Sequence, residues 1–161
     1  MRKFICTIVF TTLAFSICAQ EITSEKTVSM KLANELASAA VASCTSSGYN
    51  VVATVVDRSG YIKAVQRADN ARPHAIDIAQ RKAHTAAMLG YPTALLAENI
   101  QKGLTPASIL NTPTFTSLLG GFPIKAGTEV IGGIGVSGAP GGHLDTACVE
   151  VAMKLVQERL K

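Results

Sequence analysis

Three histidines, His74, His84 and His143, are the side chains of this 161-residue chain best suited to hold a metal or move a proton. Imidazole is chemically apt for both tasks near neutral pH. His74 and His84 fall on one predicted helix, ten residues apart, which separates them by about 15 Å along its axis. They cannot share a metal within one subunit. His74 opens that helix beside Arg72, and Asp77 follows three residues later, near enough on the helix surface to orient the ring. An exposed first-turn histidine with no ligand is the competing reading. His84 stands in an alanine-rich segment and reads as a packed or interface residue. His143 belongs to a glycine-rich loop leading into the last helix, with Asp145 two residues on. No Cys/His cluster has metal-ligand spacing, and Gly-x-Ser-x-Gly is absent, so Ser137 lacks an assignable base. Composition and spacing alone support a small-ligand or protein-binding domain without naming the ligand.

The loop before His143 ends a stretch, Gly120 to Gly142, that reads as a hairpin with a nearly bare return strand. Phe122–Lys125 meets Glu129–Ile131 across Ala126-Gly127-Thr128, where glycine supplies the positive φ of a tight connection. On the return arm Gly132, Gly133 and Gly135 alternate with Ile131, Ile134 and Val136. Strands tolerate such glycines where another backbone or a ligand comes close. Gly133-Ile-Gly135-Val-Ser-Gly138 also matches a dinucleotide fingerprint literally. That fingerprint requires a helix directly after the turn and a βαβ unit around it, and Ala139-Pro140-Gly141-Gly142 breaks the context. Tight packing is the better explanation.

The elements that must position these residues follow in order. Ser24–Ser46 repeats apolar residues at helical spacing (Val28, Leu32, Leu36, Ala39, Ala40), and Gly48 closes it. Tyr49–Val56 is a continuous β-branched run, fit for a central strand covered on both faces. Asp57–Gly60 turns the chain, and Tyr61–Arg67 returns beside it. Pro73 suits a helix's first turn, and that helix runs to Leu89 and ends at Gly90. The spacing directs Ile76, Ala79, Ala83, Ala86 and Ala87 to the sheet, and Asp77, Arg81 and Lys82 outward. Thr93 reads as the cap of a short helix to Lys102, and 103–119 as mostly loop, with one turn at Ser108-Ile-Leu. Asp145–Leu160 is a final amphipathic helix with Ala147, Val151, Leu155 and Val156 inward. Helix, hairpin, helices, hairpin, helix makes an α+β domain around an antiparallel sheet.

Residues 1–19 read as a signal peptide: Arg2 and Lys3, an apolar run to Ile17, and a cleavage point after Ala19. Residues 20–161 then form one exported domain, periplasmic or secreted, with no stable membrane insertion. Losing Arg2 and Lys3 lowers the formal charge from +4 to +2. The remaining Lys and Arg are scattered, which argues against nucleic acid as a partner. Cys44 and Cys148 stay in the mature chain, near the end of the first helix and the start of the last. Antiparallel packing of those helices would bring them together, as a disulfide or as two small buried side chains. The small-residue faces also predict a homo-oligomer.

Four segments together resemble the GlcG/HbpS family, including the C-terminal domain of PduO. They are Val55–Ile62, Arg72-Pro73-His74 with Ala79–Ala86, Gly120–Ile124 and Ile131–Gly138. The resemblance spans the mature chain and implies a profilin-like α/β/α sandwich that assembles into homo-oligomers. Some members bind haem, and others are known from operons of organic-acid or diol metabolism. The resemblance therefore implies an exported haem-binding protein serving haem scavenging or redox sensing, with a small-molecule or enzymatic domain acting on an organic acid as the alternative. Pro73-His74 matches the start of the haem-side helix, which makes His74 the axial-ligand candidate. It places Arg72, Arg81 and Lys82 as partners for haem propionates, with Asp77 behind the His74 ring. Arg72 stands where the family more usually has glycine.

Overall fold

The computed structural model describes residues 24–161, so the predicted signal peptide lies outside the described residues. Helix α1 (Met30–Ser46) leads into strands β1 (Val52–Asp57) and β2 (Ile62–Arg67), then helices α2 (Ala75–Leu89) and α3 (Thr93–Gln101). After a short 3-10 turn at Ala107–Asn111 come β3 (Gly121–Ala126), β4 (Glu129–Ser137) and α4 (Gly142–Val156). The sheet has the order β2-β1-β4-β3, antiparallel throughout. The two richest apolar strands are therefore central, and the α+β sandwich expected from the sequence is the observed fold. Asp57 closes the first hairpin through its carboxylate, which accepts from the Ser59 and Tyr61 N–H groups at 2.9 and 3.0 Å.

Two unlike layers cover the sheet. On one face α1 and α4 bury Leu36, Ala40, Val149 and Val156 against Val55, Ile134 and Val136. Cys44 and Cys148 form a disulfide there, joining the two helices with Cα atoms 5.4 Å apart. On the other face α2 lies on the sheet chiefly through alanines: Ala75 and Ala79 meet Val52, and Ala83 and Ala87 meet Val56.

That closeness explains the glycines of β4. A Cβ at Gly133 would collide with the Ala83 carbonyl, and one at Gly135 would collide with the Ala79 carbonyl and lie 2.6 Å from the Ala83 nitrogen. Gly121 on β3 meets the Lys82 carbonyl in the same way. The surface of close approach foreseen at these glycines exists, and α2 of the same chain occupies it. Gly135→Ala should accordingly destabilise by about 3 kcal/mol, because the obstacle is backbone that cannot rotate aside. Gly127→Ala faces open space at φ +62° and should lose only about 1 kcal/mol to backbone strain. Equal urea midpoints for the two variants would contradict this packing.

Several details depart from the sequence expectations. Helix α1 starts at Met30, capped by the Ser29 hydroxyl, while Val28 lies before the helix and donates its N–H to the Ile131 carbonyl. Thr93 does not cap α3: it is buried inside the helix, and its hydroxyl accepts from the Gly121 N–H at 3.0 Å. Ile76 is partly exposed, and Lys82, expected to face outward, is buried. On α4 the inward residues are Asp145, Cys148, Val149, Ala152 and Val156, whereas Ala147, Val151 and Leu155 are exposed. That helix is apolar around most of its circumference, so spacing does not choose a face. The disulfide and the Asp145 carboxylate do.

Candidate functional site

The N-termini of α2 and α4 open on the same end of the sandwich, beyond the last residue of β4. Between them lies a cleft of about 400 Å³, lined by Arg72, His74, Ile78 and Lys82 from the α2 side. Ser137–His143, Asp145 and Ser117–Leu119 complete its walls. Three of the residues singled out in the sequence, His74, Arg72 and Lys82, thus meet at one cavity. Asp77 and Arg81 do not line it. Asp77 is exposed on the first turn of α2, and Arg81 donates to the Phe115 carbonyl at 2.7 Å, pinning the loop before β3.

His143 joins the site through the fold, because its exposed ring sits over Gly141 at the start of α4. Two imidazoles therefore border one cleft, one from each helix N-terminus. His84 is elsewhere, half-buried against Phe115, with the ring centroids 6.0 Å apart and its Nδ1 3.4 Å from the Gly60 carbonyl. It packs, as its alanine-rich setting suggested.

The wall toward α2 rests on a buried ion pair. Lys82 Nζ donates to Asp145 Oδ2 and to the Val136 carbonyl, both at 2.7 Å. Asp145 Oδ1 accepts from the Ala139 N–H at 3.1 Å. Burial pushes the Lys82 pKa down and the Asp145 pKa up, each opposed by the partner's charge. The pair thus ties α2, the end of β4, the 137–142 loop and α4 together at the cleft floor. Spacing alone did not reveal it, since the partners are 63 residues apart. The available signal was a lysine inside an otherwise alanine-lined helix face.

Among the described residues no group of three or more His, Cys, Asp and Glu side chains gathers as a metal site. No helix among the described residues is long and apolar enough to cross a membrane.

A family profile described as haem degrading protein HbpS-like matches residues 28–154. The chain belongs to the HbpS-like family. It is 32% identical to Protein GlcG of Escherichia coli strain K12 over 110 residues, 68% of this chain and 81% of GlcG. The crystal structure of HbpS superposes with a TM-score of 0.80 at 32% identity, covering 84% of this chain and 94% of HbpS. A PduOC:haem complex superposes at 0.72 with 25% identity, covering 80% of this chain and 94% of PduOC. HbpS-like membership agrees with the sandwich and with the sequence motifs on α2 and β4.

Proposed function

We propose that this protein binds haem in the cleft between the N-termini of α2 and α4, with His74 as an axial ligand. The observation that carries the proposal is the position of His74: exposed, at the mouth of a cleft whose other walls include Ile78, Leu118, Leu119 and Pro140. An available ring nitrogen beside apolar walls fits an iron porphyrin, which needs one ligand and a largely apolar bed. The haem complex of PduOC, a structural relative, supports haem as the ligand. Haem would supply the iron chemistry; the chain's part is to offer the nitrogen, shield one face and orient the propionates. Arg72 at the cleft rim is a natural propionate partner. A purified sample titrated with haemin should develop a saturable Soret band near one equivalent, and a spectrum no different from free haemin plus albumin-free buffer would reject haem binding.

The protein's reading as an exported accessory in haem scavenging or redox sensing rests on the Arg2–Ala19 sequence pattern and on its disulfide, a bond at home in oxidising compartments. Homo-oligomerisation is part of the same proposal. The glycines of β4 no longer motivate it, because α2 covers them. Its support is now the exposed Tyr61, Ile62 and Val65 at the edge strand β2 and the exposed Val151 and Leu155 on α4. Light scattering across micromolar concentrations should report a dimer or larger species; a monomer throughout would refute it.

A further inference from the structure

The floor of the cleft holds donors that the haem reading does not use. Ser137 ends β4 on the side of the sheet that faces α2, paired with Val52, and is 94% buried at the cavity wall. Its hydroxyl takes part in no hydrogen bond among the described residues. Lys82, 98% buried, gives two N–H bonds to Asp145 and the Val136 carbonyl, which leaves the third of an ammonium's three donors unassigned. Helix α4, fifteen residues long, begins at Gly142 with Gly141 before it and no side-chain cap, and its first turn lines the same cavity. Orphan N–H groups and a positive helix end favour an anion.

We propose that this floor binds a carboxylate, gripped by the Ser137 hydroxyl, the remaining Lys82 N–H and the backbone N–H groups that start α4. The Ser137 hydroxyl opens on the cleft with no hydrogen bond of its own, so its donor and acceptor capacity is free for a bound group. The charge balance selects the anion. Asp145 already neutralises Lys82, so the floor offers dipoles and one shared cation, enough for a monoanion and unsuited to a doubly charged phosphate. The neighbouring Ile78, Leu119 and Pro140 favour an apolar body attached to that carboxylate. Such a group could come from a haem propionate or from a small free organic acid. The inference deepens the haem proposal where a propionate is the source, but the site stands without it.

Butyrate serves as the probe, with butyramide and inorganic phosphate as controls, followed by backbone amide NMR shifts on the whole mature protein. Butyrate should give saturable shifts at Ser137, Gly142 and His143, and butyramide and phosphate should bind at least about 10-fold more weakly. Ser137→Ala, a small change that leaves the Lys82–Asp145 pair in place, should weaken butyrate by about 10-fold, the usual scale for a hydrogen bond to a charged group. Haem and its dimethyl ester then separate the sources. If a propionate occupies the floor, haem displaces butyrate and the ester binds more weakly. If a free acid does, butyrate and haem bind together and the ester matches haem. Butyrate shifts with no haem binding would reject the haem proposal and keep the carboxylate site. Equal binding of butyrate and butyramide, shifts elsewhere on the surface, or an unchanged affinity in Ser137→Ala would overturn it.

Discussion

Lys82→Met should destabilise the protein by about 3–5 kcal/mol, whereas Lys82→Met combined with Asp145→Asn should recover at least half of that loss. Both partners are buried, and the single change leaves the Asp145 carboxylate without its cation in a desolvated position. The double variant removes both charges and keeps an amide oxygen able to accept from the Ala139 N–H. Recovery should be incomplete because the Val136 carbonyl loses its donor in both. The single variant should also depend on acidity in a defined sense. Burial raises the Asp145 pKa above its ordinary 3.8. A group raised on folding contributes its stabilisation fully below its unfolded pKa and loses it as pH rises through the folded one. Lys82→Met should therefore lie nearest to wild type at pH below about 4 and fall behind as pH increases. Additive urea-denaturation losses for the two substitutions would show that the pair does not couple.

Reducing the Cys44–Cys148 bond should cost about 4–5 kcal/mol, because it frees a loop closed over 104 residues. For a domain of this size the loss corresponds to a fall in Tm on the order of 10–20 °C. The bond sits between α1 and α4, the two helices that cover one whole face of the sheet. Cys44→Ala with Cys148→Ala should reproduce the effect without reductant. Matching melting curves with and without dithiothreitol would contradict it.

The sandwich was legible because its elements carry strong local signals. Within Tyr49–Val56 only Asn50 and Thr54 interrupt the apolar run, and Gly90 and Gly127 adopt the positive φ that their positions after a helix and in a hairpin demand. The bare return strand foretold close packing, although the partner proved to be α2 and not another subunit. The site was only half legible. His74 and Arg72 are neighbours in the chain and could be found from a motif. Asp145, Ser137 and His143 come to the cleft only when β4 lies antiparallel to β1 and α4 folds back over it. Periodicity places the charge of Lys82 on the wet face, while its buried partner lies 63 residues away. Periodicity turns Val151 and Leu155 inward although both are exposed, for the converse reason: an apolar side chain at helical spacing carries no mark of which neighbour it meets.

The most direct test of the central claim is a haemin titration followed at the Soret band, run side by side on the wild type, His74→Ala and His84→Ala. His74 is exposed at the cleft, so its loss should spare the fold, while His84 packs on Phe115 away from the cleft. Wild type and His84→Ala should give the same saturable band, and His74→Ala should shift it or weaken binding by about 10-fold or more, as loss of metal-site residues commonly does. An unchanged spectrum and affinity in His74→Ala would contradict the account.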